Sequence, residues 1–317
     1  MPSLIFGLKI YLIRLITSIY FYLDRHHSTP LPPPPSFTLR IPTTDKKSKL
    51  KLYFYTPPSP TLPKTPTKNP NPAKHPTIIN FHGGGWTYGT PQKDARFAAE
   101  VTKAGYLFVS VQYRLFPEFG HPTQLNDCSA AVLWINEHGE QYGIDPTKLV
   151  LTGWSTGGQL VFSTAYSLAS QVSLAGIISF YPLVDFSTPR SVKEERCPIA
   201  VQRSKTPKLF KEISEMYGAA SGPERSGPFM SPGLASDEML RRLPGKVAVY
   251  TCEWDTLCFE GEEFRERLRG LGKGVGGYMV SGVVHAWDKF PTFKRGDGKR
   301  DKLYGDAVRE LREMFEK

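Results

Sequence analysis

From residue 37 onward the chain alternates short, almost wholly apolar runs with longer stretches of helical period. The runs at residues 77–81, 106–111, 149–152, 175–180, 247–251 and 278–280 hold few polar positions, as strands buried on both faces do. Between them, residues 92–104, 124–138, 157–171, 258–271 and 300–315 repeat apolar side chains at helical spacing, the pattern of helices with one packed face. Strand followed by helix, repeated, predicts the α/β class, a mostly parallel sheet with helices on both faces. Residues 49–55 read as an early strand, and the proline-rich stretch after it as a long hairpin excursion. Residues 186–243 break the rhythm with Pro, Gly and charge around one helical piece at 209–217, which predicts an insertion over the sheet. The absence of a fixed-period repeat excludes a solenoid.

Residues 1–40 form a separate pattern, an apolar helix and a proline-rich linker, ahead of a domain spanning 41–317. Residues 3–23 are strongly apolar, but Lys9 and Arg14 interrupt them, and a charge near a bilayer centre opposes insertion by about 2.5–3.5 kcal/mol. Three placements stay open for this helix: lying in a membrane interface, packed on the protein, or spanning with the following domain in the cytosol. Both a membrane-associated and a cytoplasmic location therefore remain open. No small-x-small site precedes Asp24, so the segment reads as retained rather than as a cleaved signal.

The formal charge of +10 raises nucleic-acid binding as a function, and its distribution argues against it. Up to Pro76 there are 11 Lys and Arg against 2 Asp and Glu, a net of +9, whereas the rest carries 29 against 28, a net of +1. The excess sits in a segment holding 15 of the 28 prolines, and in the nearly neutral remainder no helix or strand interleaves basic residues with aromatics. The four cysteines, Cys128, Cys197, Cys252 and Cys258, are scattered and match no zinc spacing. No metal site is expected. At 317 residues, with 40% hydrophobic and 22% charged positions, the chain can bury a core without disulfide or metal staples.

The chemistry lies where apolar runs end. The run at 149–152 leads into Gly153-Trp154-Ser155-Thr156-Gly157-Gly158 and then a helical pattern. Glycines on both sides of a serine between strand and helix let the chain turn sharply and lift the hydroxyl out. The helix start behind it offers free N–H groups and a positive dipole end to a developing oxyanion. Residues 77–81 lead into His82-Gly83-Gly84-Gly85-Trp86, where successive glycines can aim backbone N–H groups at one point. An acid and a histidine must follow in that order. Asp255 lies just past 247–251 and His285 just past 278–280. Alone, Asp255 would fit a helix N-cap and His285 a surface loop; together, in order and in context, they complete a serine nucleophile's base and orienting acid.

These motifs resemble the hormone-sensitive lipase family of α/β-hydrolases, which includes bacterial carboxylesterases and arylacetamide deacetylase. The likeness runs from residue 77 to the C-terminus. It extends to Tyr113-Arg114-Leu115-Phe116-Pro117-Glu118, Gly143-Ile144-Asp145-Pro146, Ser231-Pro232, and Asp255-Thr256-Leu257 with Glu260-Gly261. Trp154 stands where the family commonly has Asp, and Gln112 where an Asp often precedes the Tyr-Arg-Leu motif. The resemblance implies an α/β-hydrolase fold with a cap built from the insertion and the N-terminal segment. It assigns Ser155 as nucleophile, His285 as base, Asp255 as its partner, and the N–H groups of Gly83, Gly84 and Thr156 as the oxyanion hole. Gly85, Trp86 and Trp154 are the candidate substrate contacts.

The expected activity is hydrolysis of carboxylic esters with short to medium acyl chains, through an acyl-enzyme and with no cofactor. The expected partner is a small-molecule ester, with membrane contact through residues 3–23 as a further expectation. Two alternatives stay open: an amidase, deacetylase or formamidase using the same residues, and a non-catalytic small-molecule receptor on the same fold.

Overall fold

The computed structural model describes residues 4–58, 73–203, 208–293 and 298–316. The chain opens with helix α1 (Leu4–His27), then runs through β1 (Phe37–Pro42), β2 (Lys49–Tyr55), β3 (His75–Phe81), α2 (Ala95–Lys103), β4 (Leu107–Gln112), α3 (Thr123–His138), β5 (Ile144–Trp154), α4 (Thr156–Leu168) and β6 (Gly176–Phe180). Four helices follow: α5 (Arg190–Arg196), α6 (Pro198–Arg203), α7 (Lys208–Ser221) and α8 (Asp237–Arg241). The chain closes with β7 (Lys246–Trp254), α9 (Cys258–Gly270), β8 (Gly274–Gly276), β9 (Met279–Val284) and α10 (Lys299–Phe315).

The strands form one sheet in the order β1-β2-β4-β3-β5-β6-β7-β8, with β9 also paired to β7. The pairs β1/β2 and β2/β4 are antiparallel and the others parallel. Each central apolar run expected to be a strand is one, because both faces are covered. On one face Cys128, Val132 and Ile135 of α3, Leu160 and Val161 of α4, and Phe264 and Leu268 of α9 pack on the sheet. On the other, Phe97 and Val101 of α2 meet Leu303, Ala307 and Leu311 of α10.

Several expectations change. The connection from β2 to β3 is a crossover and not a hairpin, since β2 pairs with β1 and β4 while β3 lies between β4 and β5; most of that proline-rich stretch, residues 59–72, lies outside the described residues. The expected division at residue 40 falls inside β1, whose Phe37 and Ile41 are buried in the core. Among the described residues the insertion holds four α-helices rather than one. The strand expected at 149–152 starts earlier, at Ile144, where an outer pairing with His75 extends it past Asp145-Pro146.

Helix α1 packs on the protein through Ile10 and Ile13. The two charges that interrupt its apolar run have partners: Lys9 Nζ reaches Glu212 of α7 at 2.6 Å, and Arg14 reaches Glu118 at 2.7 Å. Among the described residues no helix is long and apolar enough to cross a membrane.

Candidate active site

Parallel strands bring their C-terminal ends to one edge, and the chemistry-bearing loops gather there. Ser155 follows β5, the glycine loop follows β3, Asp255 follows β7 and His285 follows β9.

Ser155 is the hinge between β5 and α4, with φ 54° and ψ −119°, a conformation that costs a non-glycine residue energy. Its backbone is held on both sides: its N–H donates to the Phe180 carbonyl at 2.9 Å, and its carbonyl accepts from Gln159 at 3.0 Å. The glycines of the motif are required by contact. A Cβ on Gly157 would stand 2.0 Å from the Phe81 carbonyl oxygen at the end of β3, so a side chain there would push the serine turn off the glycine loop.

The Ser155 hydroxyl lies 2.9 Å from His285 Nε2, and His285 Nδ1–H donates to Asp255 Oδ2 at 2.5 Å. Asp255 is buried, 4% exposed. Its other oxygen accepts the Leu257 N–H at 3.1 Å, so it also orders the turn into α9, much as an N-cap would. Burial alone would push the His285 imidazole down, but the charge and hydrogen bond of Asp255 outweigh it and the net direction is up from the ordinary 6.5. An imidazolium at this position is therefore stabilised.

The glycine loop faces the serine. A Cβ on Gly83 would lie 3.3 Å from Ser155 Cβ. Gly84 has φ +133°, and a Cβ on it would lie 1.9 Å from the Tyr88 carbonyl oxygen. Its own carbonyl accepts from Thr87 and Tyr88, both at 3.0 Å, closing a tight turn behind the loop. Among the described residues neither the Gly83 nor the Gly84 N–H has an acceptor. Thr156, the first residue of α4, has no carbonyl one turn back to receive its N–H. The structure thus brings Gly83, Gly84 and Thr156 to the nucleophile's neighbourhood.

It does not do so for the tryptophans. Trp154 is 1% exposed, stacked on Phe180 with ring centroids 4.4 Å apart, and capped on its other side by Lys289 Nζ at 3.7 Å. It is a core residue, which corrects the expectation that it contacts substrate; its place in β5 turns it toward α2 and α10. Trp86, 2% exposed, is stacked on Tyr217 of α7 at 4.6 Å and tilted against Phe186 at 5.1 Å. Its indole N–H donates to Gln159 at 3.2 Å. It fastens the glycine loop to the insertion and to α4 instead of facing a ligand. Gly85, at φ +59°, is the turn that lets Trp86 reach back.

Residues outside the expected set complete the scaffold. Tyr113 stacks on His82 and donates its hydroxyl to the His82 carbonyl at 2.6 Å, bracing the start of the glycine loop. His82 is buried, and burial lowers its imidazole to about 4, so it stays neutral and donates Nδ1–H to the Gly83 carbonyl at 2.9 Å. Tyr181 packs edge-on against His285 at 4.9 Å and donates to Asp288 at 2.5 Å; Tyr304 donates to the other Asp288 oxygen at 2.7 Å. Lys289 bridges Asp288 at 3.1 Å and Asp94 at 2.8 Å. The sequence signal for these was proximity, since Asp288 and Lys289 follow His285 within one turn.

The four cysteines are free and buried. Burial pushes the Cys252 and Cys258 thiols up, so the two that flank Asp255 are held as neutral thiols. Among the described residues no cluster of His, Cys, Asp or Glu could hold a metal ion.

A family model described as alpha/beta hydrolase fold matches residues 78–289. The chain belongs to the α/β-hydrolases of the hormone-sensitive lipase and carboxylesterase type. It is 29% identical over 262 residues to an arylesterase of Saccharolobus solfataricus, covering 80% of this chain and 79% of that one. It is 33% identical over 225 residues to the carboxylesterase NlhH of Mycobacterium tuberculosis, covering 68% and 67%. A structure of a fungal esterase from Rhizomucor miehei superposes with a TM-score of 0.79 at 25% identity, covering 96% of this chain and 90% of that one.

Proposed function

We propose that this α/β-hydrolase cleaves carboxylic esters of short to medium acyl chains by acyl transfer through Ser155. That it is a carboxylic ester hydrolase follows from its family and from relatives that are esterases. The observation that carries the mechanism is the continuous chain from Ser155 Oγ to His285 to Asp255, at 2.9 and 2.5 Å.

Ser155 Oγ attacks the ester carbonyl carbon while its proton passes to His285 Nε2. The carbonyl oxygen takes the negative charge and accepts from the N–H groups of Gly83, Gly84 and Thr156. Asp255 holds the imidazole in the tautomer with Nε2 free and stabilises the imidazolium as it forms. His285 then gives its proton to the leaving alkoxide, the C–O bond breaks, and the alcohol departs. Water repeats the sequence on the acyl-enzyme: its proton goes to His285, its oxygen to the acyl carbon, and Ser155 recovers its proton as the acid leaves. The preference for short to medium acyl groups rests on the family resemblance.

The test is release of p-nitrophenol from acetate, butyrate, octanoate and palmitate esters. Turnover is expected on the shorter esters and a loss of about a millionfold in kcat for Ser155→Ala and for His285→Ala. Folded wild type no faster than the two variants would overturn the mechanism, and a preference for palmitate would overturn the chain-length reading. A matched ester and anilide pair measures ester against amide preference.

A further inference from the structure

The outward face of α1 is apolar where the exposed face of a packed helix is normally polar. Ile10, Ile13 and Asp24 turn inward and are buried, whereas Leu8, Tyr11, Leu12, Leu15, Ile19 and Tyr22 are between 47 and 71% exposed. Their three- and four-residue spacing puts them on one stripe, about 20 Å long at helical rise.

A groove of about 780 Å³ runs along the flank of the same helix. Its walls include Ser18 and Phe21 of α1, Arg40 of β1, Lys49 and Lys51 of β2, and Lys93. Arg40 stands directly opposite Lys51 in the β1/β2 ladder, a like-charge pairing that costs a sheet stability. The nearby acids are already engaged: Glu118 with Arg14, Asp45 and Asp127 with Arg114, and Asp94 with Lys289. Arg40, Lys49, Lys51 and Lys93 have no ion pair among the described residues. Lys51 and Lys93 rest over the rings of Tyr53 and Tyr88. Burial lowers the Lys93 ammonium to about 8 against the pull of Asp94, so an arriving anion would restore it.

We propose that this face docks the protein on an anionic phospholipid surface, with lipid phosphates in the basic groove and the outward stripe of α1 among the headgroups and upper acyl chains. The charge selects the occupant. A second copy docked symmetrically would set the same unpaired cations face to face, whereas an anionic bilayer supplies phosphate and apolar depth together. An apolar helix face and a basic cluster are the two signals that make interfacial binding stable. The proposal also accounts for the charge distribution, +9 up to Pro76 against +1 thereafter. It stands independently of which ester is cleaved.

The test is co-sedimentation of the full chain with vesicles of phosphatidylcholine alone and of phosphatidylcholine with about a third phosphatidylserine. Binding is expected to the anionic vesicles and to weaken at high salt. The triple variant Arg40→Gln, Lys49→Gln, Lys51→Gln should lose about a hundredfold in partitioning, while its p-nitrophenyl acetate turnover without vesicles stays at the wild-type rate. Leu15→Gln with Ile19→Gln should lose about tenfold or more from the apolar stripe. Equal binding to both vesicles, or a triple variant that binds like wild type, would overturn the proposal. Calorimetric binding of inorganic phosphate without vesicle binding would assign the groove to a soluble anion and overturn it. A dimer that dissociates in the Leu15, Ile19 variant, again without vesicle binding, would overturn it in favour of self-association.

Discussion

The positive φ of Ser155 and the burial of Trp154 are two sides of one turn. The strand must end with a side chain buried deeply enough to hold the next residue in a strained conformation, and Trp154 does this by stacking on Phe180 under Lys289. Lys289, lying over the Trp154 ring, also joins the carboxylates of Asp94 and Asp288. Lys289→Met should therefore destabilise by about 3–5 kcal/mol, because it strands two buried carboxylates; thermal denaturation measures it. The His285 imidazole is raised above 6.5 by Asp255 in spite of burial. Since the base must be neutral, activity should fall as pH drops through a midpoint above 6.5, the reverse of a purely desolvated histidine. In the pH profile of kcat/KM, Asp255→Asn should move that midpoint down and lower kcat about ten-thousandfold.

At the scale of elements, the glycine loop keeps its shape through its neighbours. Tyr113, at the exit of β4, reaches the His82 carbonyl, and Trp86 is clamped by the insertion. Removing the one hydroxyl in Tyr113→Phe should cost about 1–2 kcal/mol of stability and about ten- to hundredfold in kcat, with KM nearly unchanged, since the loop N–H groups would lose registration with the oxyanion. Steady-state kinetics on a short ester separates the two effects. The insertion is itself pinned: Glu260 of α9 accepts from the Val184 and Asp185 N–H groups at 2.9 and 3.1 Å and pairs with Lys193 of α5. Ser231 accepts the Phe186 N–H at 2.7 Å. The motif residues Ser231 and Glu260 thus fasten the insertion to the body of the fold.

Across the whole molecule, α1 ties the first residues to both layers. Asp24 and Arg96, each 9% exposed at the side chain, form a two-point pair at 2.6 and 2.8 Å between α1 and α2, while Lys9 reaches α7 on the other side. Asp24→Asn should lower stability by about 3–5 kcal/mol by leaving a buried guanidinium unpaired, read as a drop of several degrees in Tm. Deletion of residues 1–23 should strip from the core the cover that Ile10 and Ile13 now give it. Its expected signature is loss of thermal stability together with loss of anionic-vesicle binding.

The sequence by itself determined the fold class, the central strands and helices, and the residues that meet at the site. Apolar runs long enough for strands can only be buried, and a glycine-flanked serine between strand and helix has few other uses. Ser155, Asp255 and His285 were legible because each stands at a strand's end in the order the fold requires, and Gly83 and Gly84 because successive glycines after a strand can aim backbone N–H groups at one point. The tertiary structure decided what depends on which face a residue turns. Trp86 and Trp154 read as ligand contacts from their position beside the motifs, yet the insertion buries Trp86 against Tyr217 and Phe186, and the sheet core buries Trp154 against Phe180. The place of β3 between β4 and β5 was hidden because hydrophobicity marks a strand but not its neighbour. The partners of Lys9 and Arg14 were hidden for the same reason: they come from Glu212 and Glu118, more than a hundred residues along the chain. Charge pairing over such distances is set by topology, and topology is set by the packing of the whole.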